Sequence, residues 1–293
     1  MKVLISGARG LIATELIAQL KALGHTPISL VRSRPAGENE IFIDAKTGDF
    51  DAASMEEIDA VVNLAGATTG RIPWTKKYMR EIVDSRIETT KVLVAAINQA
   101  KNKPKVLVSG SASGIYGDRG DELLTENSGR GDGFLADLAH SWEEEANRAQ
   151  TRVVNLRTTM VFSKRLGALG KLLPLIKLGI GGPLGSGKQW WAWITVEDQA
   201  RAIIHLIESN ESGAFNITAP EPATCEQIIR GLGKALHRPT ILKVPAWAMR
   251  LLVGVAADEL LLCSQKMSAE KLLGTGFKFN QPTLEEGISY VVS

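Results

Sequence analysis

The opening run KVLISGARGLIATELIAQL, Lys2 to Leu20, decides how the chain is to be read. An apolar, β-branched stretch, KVLIS, runs straight into a glycine, and a helical pattern of apolar residues begins a few positions later. Gly7, Gly10 and Ala13 fall in a G-x-x-G-x-x-A spacing at that junction. The first glycine permits a tight turn, the second lets the backbone approach a pyrophosphate, and small Ala13 lets helix and strand pack closely. Phosphates would then rest on the helix N-terminus, where free N–H groups and the dipole favour an anion. The contacts expected of a dinucleotide are Gly7, Arg9 and Gly10 in the loop, with Leu11 and Ile12 opening the helix. A glycine turn with no ligand is the plainer alternative, and the strand–turn–helix context weighs against it.

The second strand bears on which dinucleotide. A site for NAD usually places Asp or Glu about 20 residues beyond the loop, on the ribose hydroxyls. Here ISLVRSRP supplies Arg32 and Arg34, with no acid until Glu38. Arginine suits a 2′-phosphate through charge-assisted, bidentate hydrogen bonds, and Arg9 can add to the same pocket. NADP(H) is therefore favoured over NAD(H). Solvated arginines at a strand end are the competing reading.

Working outward, KVLIS, PISLV, AVVNLAG, KVLVSGS, RVVNLRTTMVF and GAFNIT read as strands. They alternate with helical stretches such as LIATELIAQLKALG, TKKYMREIVDSRIETTKVLVAAINQA and FLADLAHSWEEEANRA. Near-continuous apolar strands between helices predict an α/β fold, a Rossmann-type doubly wound parallel sheet covered on both faces. From about Leu166 the texture turns rich in Gly, Pro and Trp, which suggests a smaller C-terminal lobe for substrate. The expected division is 1–165 for the nucleotide-binding domain and 166–293 mainly for that lobe, with segments near 190–218 returning to the sheet.

The 293 residues are 44% hydrophobic and 23% charged, an ordinary soluble composition. Lys+Arg 34 against Asp+Glu 32 gives no reason to expect nucleic acid or a membrane surface as partner. Cys225 and Cys263 lack metal-type spacing and the four histidines are scattered, so no metal site is expected. The first residues break with glycines and an arginine before an apolar core develops, which reads as no secretory leader and a cytoplasmic address. WAMRLLVGVAADELLLC is too interrupted by charge to span a bilayer and fits a buried helix. GPLGSGK, Gly182 to Lys188, has the start of a P-loop, but Gln189 follows where Ser or Thr is needed. It reads as a loop beside the substrate, and Lys188, Trp190, Trp191 and Trp193 either line the cleft or pack in a core.

With these motifs in place, the chain resembles the extended short-chain dehydrogenases/reductases. It is most similar to an atypical nucleotide-sugar-epimerase-like branch of them (NAD-dependent epimerase/dehydratase-like). SGARGLIA, VVNLAG, WTKKYMREIVDSRIETTKVLVAAI, SGSASGIYGDRGD, LRTTMVF, GGPLGSGKQWWAWITVEDQARAI and VPAWAMRLLVG carry the resemblance, nearly end to end. It implies that Leu64, Ala65 and Gly66, ending the VVNLAG strand, lie along the cofactor. It also implies a serine near Ser111 or Ser113 and, on the helix of GDGFLADLAHSWEEEA, a catalytic tyrosine with a lysine four residues on. Phe134 and Leu138 stand there instead. The chain has three tyrosines, and none of Tyr78, Tyr116 or Tyr290 is followed four places later by lysine.

Substitutes for the missing acid come from the same neighbourhood. Tyr116 and Ser111 are the candidate catalytic residues, Tyr116 being equally readable as a packed aromatic. Asp137 shares a helix face with Phe134 and would serve as an acid in a dry cleft. An acid placed favourably in a first helical turn is its simpler reading. Two functions follow. One is an NADP(H)-binding oxidoreductase or epimerase-like enzyme, monomer or homodimer, acting on a small carbonyl or sugar-nucleotide-like substrate. The other is a catalytically inactive NADP(H)-binding sensor or scaffold.

Overall fold

The first strand sets the layering, because its residues are buried on alternate faces: Val3 and Ile5 to one side of the sheet, Leu4 to the other. The computed structural model describes residues 1–164, 168–170 and 172–293. In chain order the first half contains β1 (Lys2–Ser6), α1 (Leu11–Ala22), β2 (Thr26–Val31), β3 (Glu40–Asp44), β4 (Asp49–Phe50), β5 (Ala60–Asn63), α2 (Lys76–Gln99), β6 (Val106–Ala112), β7 (Leu123–Leu124) and α3 (Phe134–Ala146). There follow β8 (Arg152–Thr158), β9 (Met160–Phe162), α4 (Leu172–Lys177), β10 (Trp193–Thr195), α5 (Val196–Glu208), β11 (Gly213–Ile217), α6 (Cys225–Ala235), α7 (Ala246–Val253), β12 (Lys266–Met267), α8 (Glu270–Gly274) and α9 (Leu284–Val292).

Eight strands form the main sheet in the order β11-β8-β6-β5-β1-β2-β3-β4. Every neighbouring pair is parallel except the short β3–β4 hairpin. The order reverses between β1 and β5, since the chain moves outward through β2 and then returns to the other side of β1. That reversal opens a crevice at the carboxyl ends of the two strands, where open α/β sheets bind ligands. On one face Val3, Ile5, Val108 and Phe215 meet Leu16 and Leu20 of α1 and Ile203 and Leu206 of α5. On the other, Leu4, Val61 and Leu107 meet Leu93 and Ile97 of α2. This is the doubly wound parallel architecture that the alternating apolar runs predict.

A second core lies under the C-terminal segments. Phe162 and Trp193 stack at 5.1 Å between ring centroids and bury against Ile228, Ile229 and Leu232 of α6 and Ile288 of α9. The capping box of Thr224 and Gln227 starts α6, and that of Thr283 and Glu286 starts α9.

Three local expectations are corrected. RVVNLRTTMVF is not one strand: Thr159 interrupts it, leaving β8 in the main sheet and β9 paired with β10 in a separate two-stranded sheet. The strands β3 and β4, at one end of the sheet, are additional, short and flanked by turn residues, so no periodicity announces them. WAMRLLVGVAADELLLC is not a buried helix. Met249 and Val253 face inward, while Trp247, Leu251 and Leu252 are 69%, 80% and 69% exposed.

The tail returns to the sheet layer through one carboxylate. Asp198, fully buried in the first turn of α5, accepts hydrogen bonds from the backbone N–H groups of Asn280 (2.9 Å) and Gln281 (2.9 Å) and from Arg201 Nη1 (2.7 Å). Replacing it leaves the two backbone donors and Arg201 without the buried acceptor they share and frees the segment leading to α9. Asp198→Ala is expected to lower unfolding free energy by about 3 kcal/mol, read from urea denaturation.

Candidate functional site

The glycine turn after β1 is shaped by close backbone contact. Gly7 has φ +68°, and a Cβ there would lie 2.6 Å from the Leu64 carbonyl oxygen. Only glycine satisfies both the left-handed backbone and that approach. Gly10 N–H donates to the Gly7 carbonyl at 2.8 Å and closes the turn. Gly10 then starts α1 with no side-chain cap and no acid in the first turn, so the opening N–H groups at Leu11 and Ile12 keep their anion-attracting character. Arg9 stands exposed on the turn, and Arg32 and Arg34 are exposed just past the end of β2. Among the described residues none of these three guanidinium groups is ion-paired with a carboxylate.

The ends of β1 and β5 are joined beneath the turn by buried polar side chains. Ser6 Oγ donates to Asn63 Oδ1 at 2.6 Å and accepts from the N–H groups of Leu64 and Ala65, each at 3.0 Å. Asn63 Nδ2 donates to Thr90 Oγ1 (2.8 Å), which also accepts from Trp142 Nε1 (2.9 Å). The indole ring of Trp142 fits only because residue 110 is glycine, where a Cβ would come within 2.6 Å of the ring.

Beyond β5 the loop Gly66–Thr69 is held from α2 and the turn before it. Ala67 N–H donates to Ser85 Oγ (2.8 Å), Arg86 Nη1 to the Ala67 carbonyl (3.1 Å), Tyr78 Oη to the Thr68 carbonyl (2.5 Å) and Trp74 Nε1 to the Thr69 carbonyl (3.0 Å). None of the side chains that hold the loop, Ser85, Arg86, Tyr78 and Trp74, stands among the candidate site residues. The available signal is polar Arg86 and Thr90, four apart, on the face of α2 that its apolar periodicity turns inward.

Helix α3 begins where the resemblance expects an acid, and the surroundings are apolar. Phe134 and buried Leu138 join Trp74, Tyr78, Ile82, Leu135 and Ala256 in one cluster. Phe134 meets Trp74 edge-on, with ring centroids 5.6 Å apart. The first N–H groups of the helix, at Phe134 and Leu135, donate to the carboxylate of Glu259 at 2.9 and 3.1 Å. Asp137 is exposed and paired with Arg130, so its carboxylate faces solvent and not a dry cleft. The simpler reading of Asp137, an acid placed well for the helix dipole, is the one that fits.

Ser111 and Tyr116 belong to a different, enclosed network. Ser111 Oγ donates to Glu143 Oε1 at 2.6 Å, and Arg157 grips the same carboxylate through Nε (2.9 Å) and Nη2 (3.0 Å). Arg157 Nη1 donates to Tyr116 Oη (2.9 Å), which in turn donates to Asn216 Oδ1 (2.7 Å). Tyr116 has no exposed surface and Ser111 is 5% exposed. Burial pushes the Tyr116 phenol above its ordinary range, against the pull of the Arg157 charge. A hydroxyl so enclosed has no face left for a substrate, which supports the packed-aromatic reading of Tyr116. Ser113 is half-buried, on the turn after β6.

A cavity of about 250 Å³ opens between that turn and the C-terminal segment, lined by residues including Gly114, Gly117, Asp132, Arg250, Glu259 and Gln265. The tryptophans lie on the packing side of their two readings. Trp191 and Trp193 are buried, and Trp190 Nε1 donates to Asp121 (2.7 Å). Lys188 is exposed, and the P-loop-like run leads into no helix. Burial lifts the thiols of Cys225 and Cys263 to about 12, so both stay protonated at neutral pH. Among the described residues no cluster of His, Cys, Asp or Glu is placed to hold a metal ion, and no helix is long and apolar enough to cross a membrane.

Residues 3–218, the sheet with its glycine turn, match the model of the NAD dependent epimerase/dehydratase family. The chain belongs to that family. Residues 244–290 match a domain of unknown function (DUF1731). The epimerase family protein ML0860 of Mycobacterium leprae (strain TN) is 37% identical over 295 residues, spanning 99% of this chain and 95% of its own. The human epimerase family protein SDR39U1 is 34% identical across the full length of both chains. The crystal structure of that human protein (isoform 2) with NADPH superposes with a TM-score of 0.92 at 32% identity, covering 99% of each chain. UDP-glucuronic acid 4-epimerase from Bacillus cereus, solved with UDP-glucuronic acid and NAD, shares the family fold (TM-score 0.77) at 20% identity.

The enclosed network yields a direct check. Tyr116→Phe leaves Asn216 Oδ1 and an Arg157 N–H without their partner, so unfolding stability is expected to fall by about 1–3 kcal/mol while NADPH affinity holds. Chemical denaturation and fluorescence titration read the two effects. Unchanged stability with loss of turnover would instead restore Tyr116 as an acid.

Proposed function

We propose that the chain binds NADP(H) and acts as an oxidoreductase or epimerase-like enzyme on a small carbonyl or sugar-nucleotide-like substrate, without a tyrosine–lysine pair. The observation that carries the cofactor half is the set of unpaired arginines around the uncapped start of α1. Gly7, Gly10 and the N–H groups at Leu11 and Ile12 would receive the pyrophosphate, for which the Gly7 turn leaves no competing side chain. Arg9 and Arg32, with Arg34 beside them, would hold the 2′-phosphate. Leu64, Ala65 and Gly66 would lie along the rest of the dinucleotide. NADPH in the crystal structure of the human relative supports the same choice.

The bound nicotinamide would supply or accept the hydride, and the protein's part is to fix a substrate carbon beside it. With Phe134 and Leu138 in an apolar cluster, and Ser111 and Tyr116 committed to Glu143, Arg157 and Asn216, a proton would come from the Ser113 hydroxyl or from water. General acid–base help of the usual kind is worth about 10²–10⁴ in rate, so turnover is expected to be slow. The same cluster favours the second reading, a nucleotide-binding sensor or scaffold that has no turnover to lose.

Fluorescence titration separates the cofactors. Arg32→Ala is expected to weaken NADPH binding about 10- to 100-fold and to leave NADH unaffected. Equal binding of NADH and NADPH by the unmodified chain, insensitive to Arg32→Ala, removes the NADP(H) assignment. Oxidation of NADPH across a panel of carbonyl and nucleotide-sugar compounds then decides between enzyme and sensor.

A further inference from the structure

Two stretches of the C-terminal segment carry most of the large apolar side chains that the described fold leaves uncovered. Leu178 and Ile241 are 72% and 79% exposed, Leu242 is exposed beside Ile241, and Trp247, Leu251 and Leu252 of α7 project outward as well. Backbone contacts hold the two stretches side by side. Gly185 N–H donates to the Val244 carbonyl (2.8 Å), Val244 N–H to the Pro183 carbonyl (3.0 Å) and Arg238 Nε to the Lys177 carbonyl (2.8 Å). α7 follows at once, with Pro245 at its N-cap. The helical period then divides its faces: Met249 and Val253 turn into the second core, while Trp247 and Leu251, also four apart, turn to solvent. Single exposed apolar residues are ordinary on a protein surface, but a gathered group of them marks an interaction face.

The charge around the patch says what it would meet. Residues 146–196 and 227–257 contain no Asp or Glu. Lys177, Lys234, Arg238 and Lys243 stand exposed there, and among the described residues none of them is paired with a carboxylate. The acids that border the second stretch, Glu226 and Asp258, are taken by Arg230 and Arg250. The near-neutral balance of the whole chain conceals this local excess of cations. Basic side chains beside an apolar face let that face bury while their charges stay at a negatively charged boundary. Exposed Trp247 suits such a boundary, with its ring toward hydrocarbon and its N–H toward polar headgroups. A second copy docking symmetrically through the same patch would set like cations against one another.

We propose that this face docks on the surface of an anionic phospholipid bilayer, with α7 lying in the interface. At eight residues α7 is too short to cross a bilayer, so the contact is a surface one. The proposal stands apart from the NADP(H) reading and does not depend on it. Arg250, next to Leu251 on the same helix, lines the cavity beside Glu259, so docking holds that cavity close to the lipid.

Flotation of the full chain with vesicles tests the proposal, using phosphatidylcholine alone and phosphatidylcholine mixed with phosphatidylglycerol. Binding is expected to the mixed vesicles, to be about tenfold weaker or more on phosphatidylcholine alone, and to fall as salt rises. Leu251→Ser combined with Leu252→Ser is expected to weaken binding about tenfold or more. Lys177→Ser combined with Lys243→Ser is expected to weaken it as well, and both variants should keep the thermal unfolding midpoint of the unmodified chain. No association of the unmodified chain with the anionic vesicles overturns the proposal. Association that the Leu251 and Leu252 changes leave intact overturns it too, because the contact then lies elsewhere. A dimer in solution that those same changes convert to monomer assigns the face to a second copy and overturns the lipid reading.

Discussion

The hydroxyl of Ser6 fixes the spacing on which the binding crevice depends. It ties the end of β1 to Asn63 and to the first two N–H groups beyond β5, at the place where strand order reverses. Parallel strands splay at their carboxyl ends unless something joins them, because the ladder stops there. The bond from Ser6 lets the Gly7 backbone sit against the Leu64 carbonyl, which excludes any residue with a Cβ. Asn63 passes the constraint to Thr90, and Thr90 to Trp142, so two helices are referenced to the same point. The glycine turn, the loop past β5 and the start of α3 thus share one rigid frame.

That frame has traded polar chemistry for packing at one position and kept it at another. Around Phe134 and Leu138 the gain is burial, at roughly 25 cal/mol for each Å² of apolar surface removed from water. Nearby, Ser111, Glu143, Arg157 and Tyr116 satisfy one another so fully that they read as a brace between β6, α3 and β8. A buried pair of opposite charges with all its hydrogen bonds made resists loss of either partner and has little capacity left for reaction. The residues that look most chemical in the sequence are accordingly those most occupied with holding the fold.

Legibility followed the physics of each element. β1, β2, β5 and β6 are buried on both faces and read as apolar runs, while Gly7 and Gly10 have backbone reasons visible in their spacing. α1, α2 and α3 carry periodic apolar faces and lie within three residues of where the pattern put them. β3 and β4, at one end of the sheet, have too few buried positions to leave a pattern. Thr159 breaks β8 from β9 with no glycine or proline to mark the place. α7 misled because an apolar sequence does not state whether a neighbour covers it, and here much of it is uncovered. In the candidate site, the glycine turn was readable because its reasons lie in its own backbone, and Arg9, Arg32 and Arg34 stand exposed beside it. The roles of Arg86, Ser85 and Glu259 were not, since each depends on a partner distant in sequence or on a turn in space.

Glu259 illustrates how distance along the chain becomes timing. Its carboxylate receives the first two N–H groups of α3 across a separation of 125 residues at Phe134. During synthesis the chain emerges N-terminal end first. The strands through β8 are therefore made while the first turn of α3 still lacks its acceptor. The apolar cluster at that turn is completed only when Ala256 and Leu260 arrive with Glu259. The first turn of α3, on this side of the crevice, therefore gains its partners only once the segment carrying Glu259 has been made.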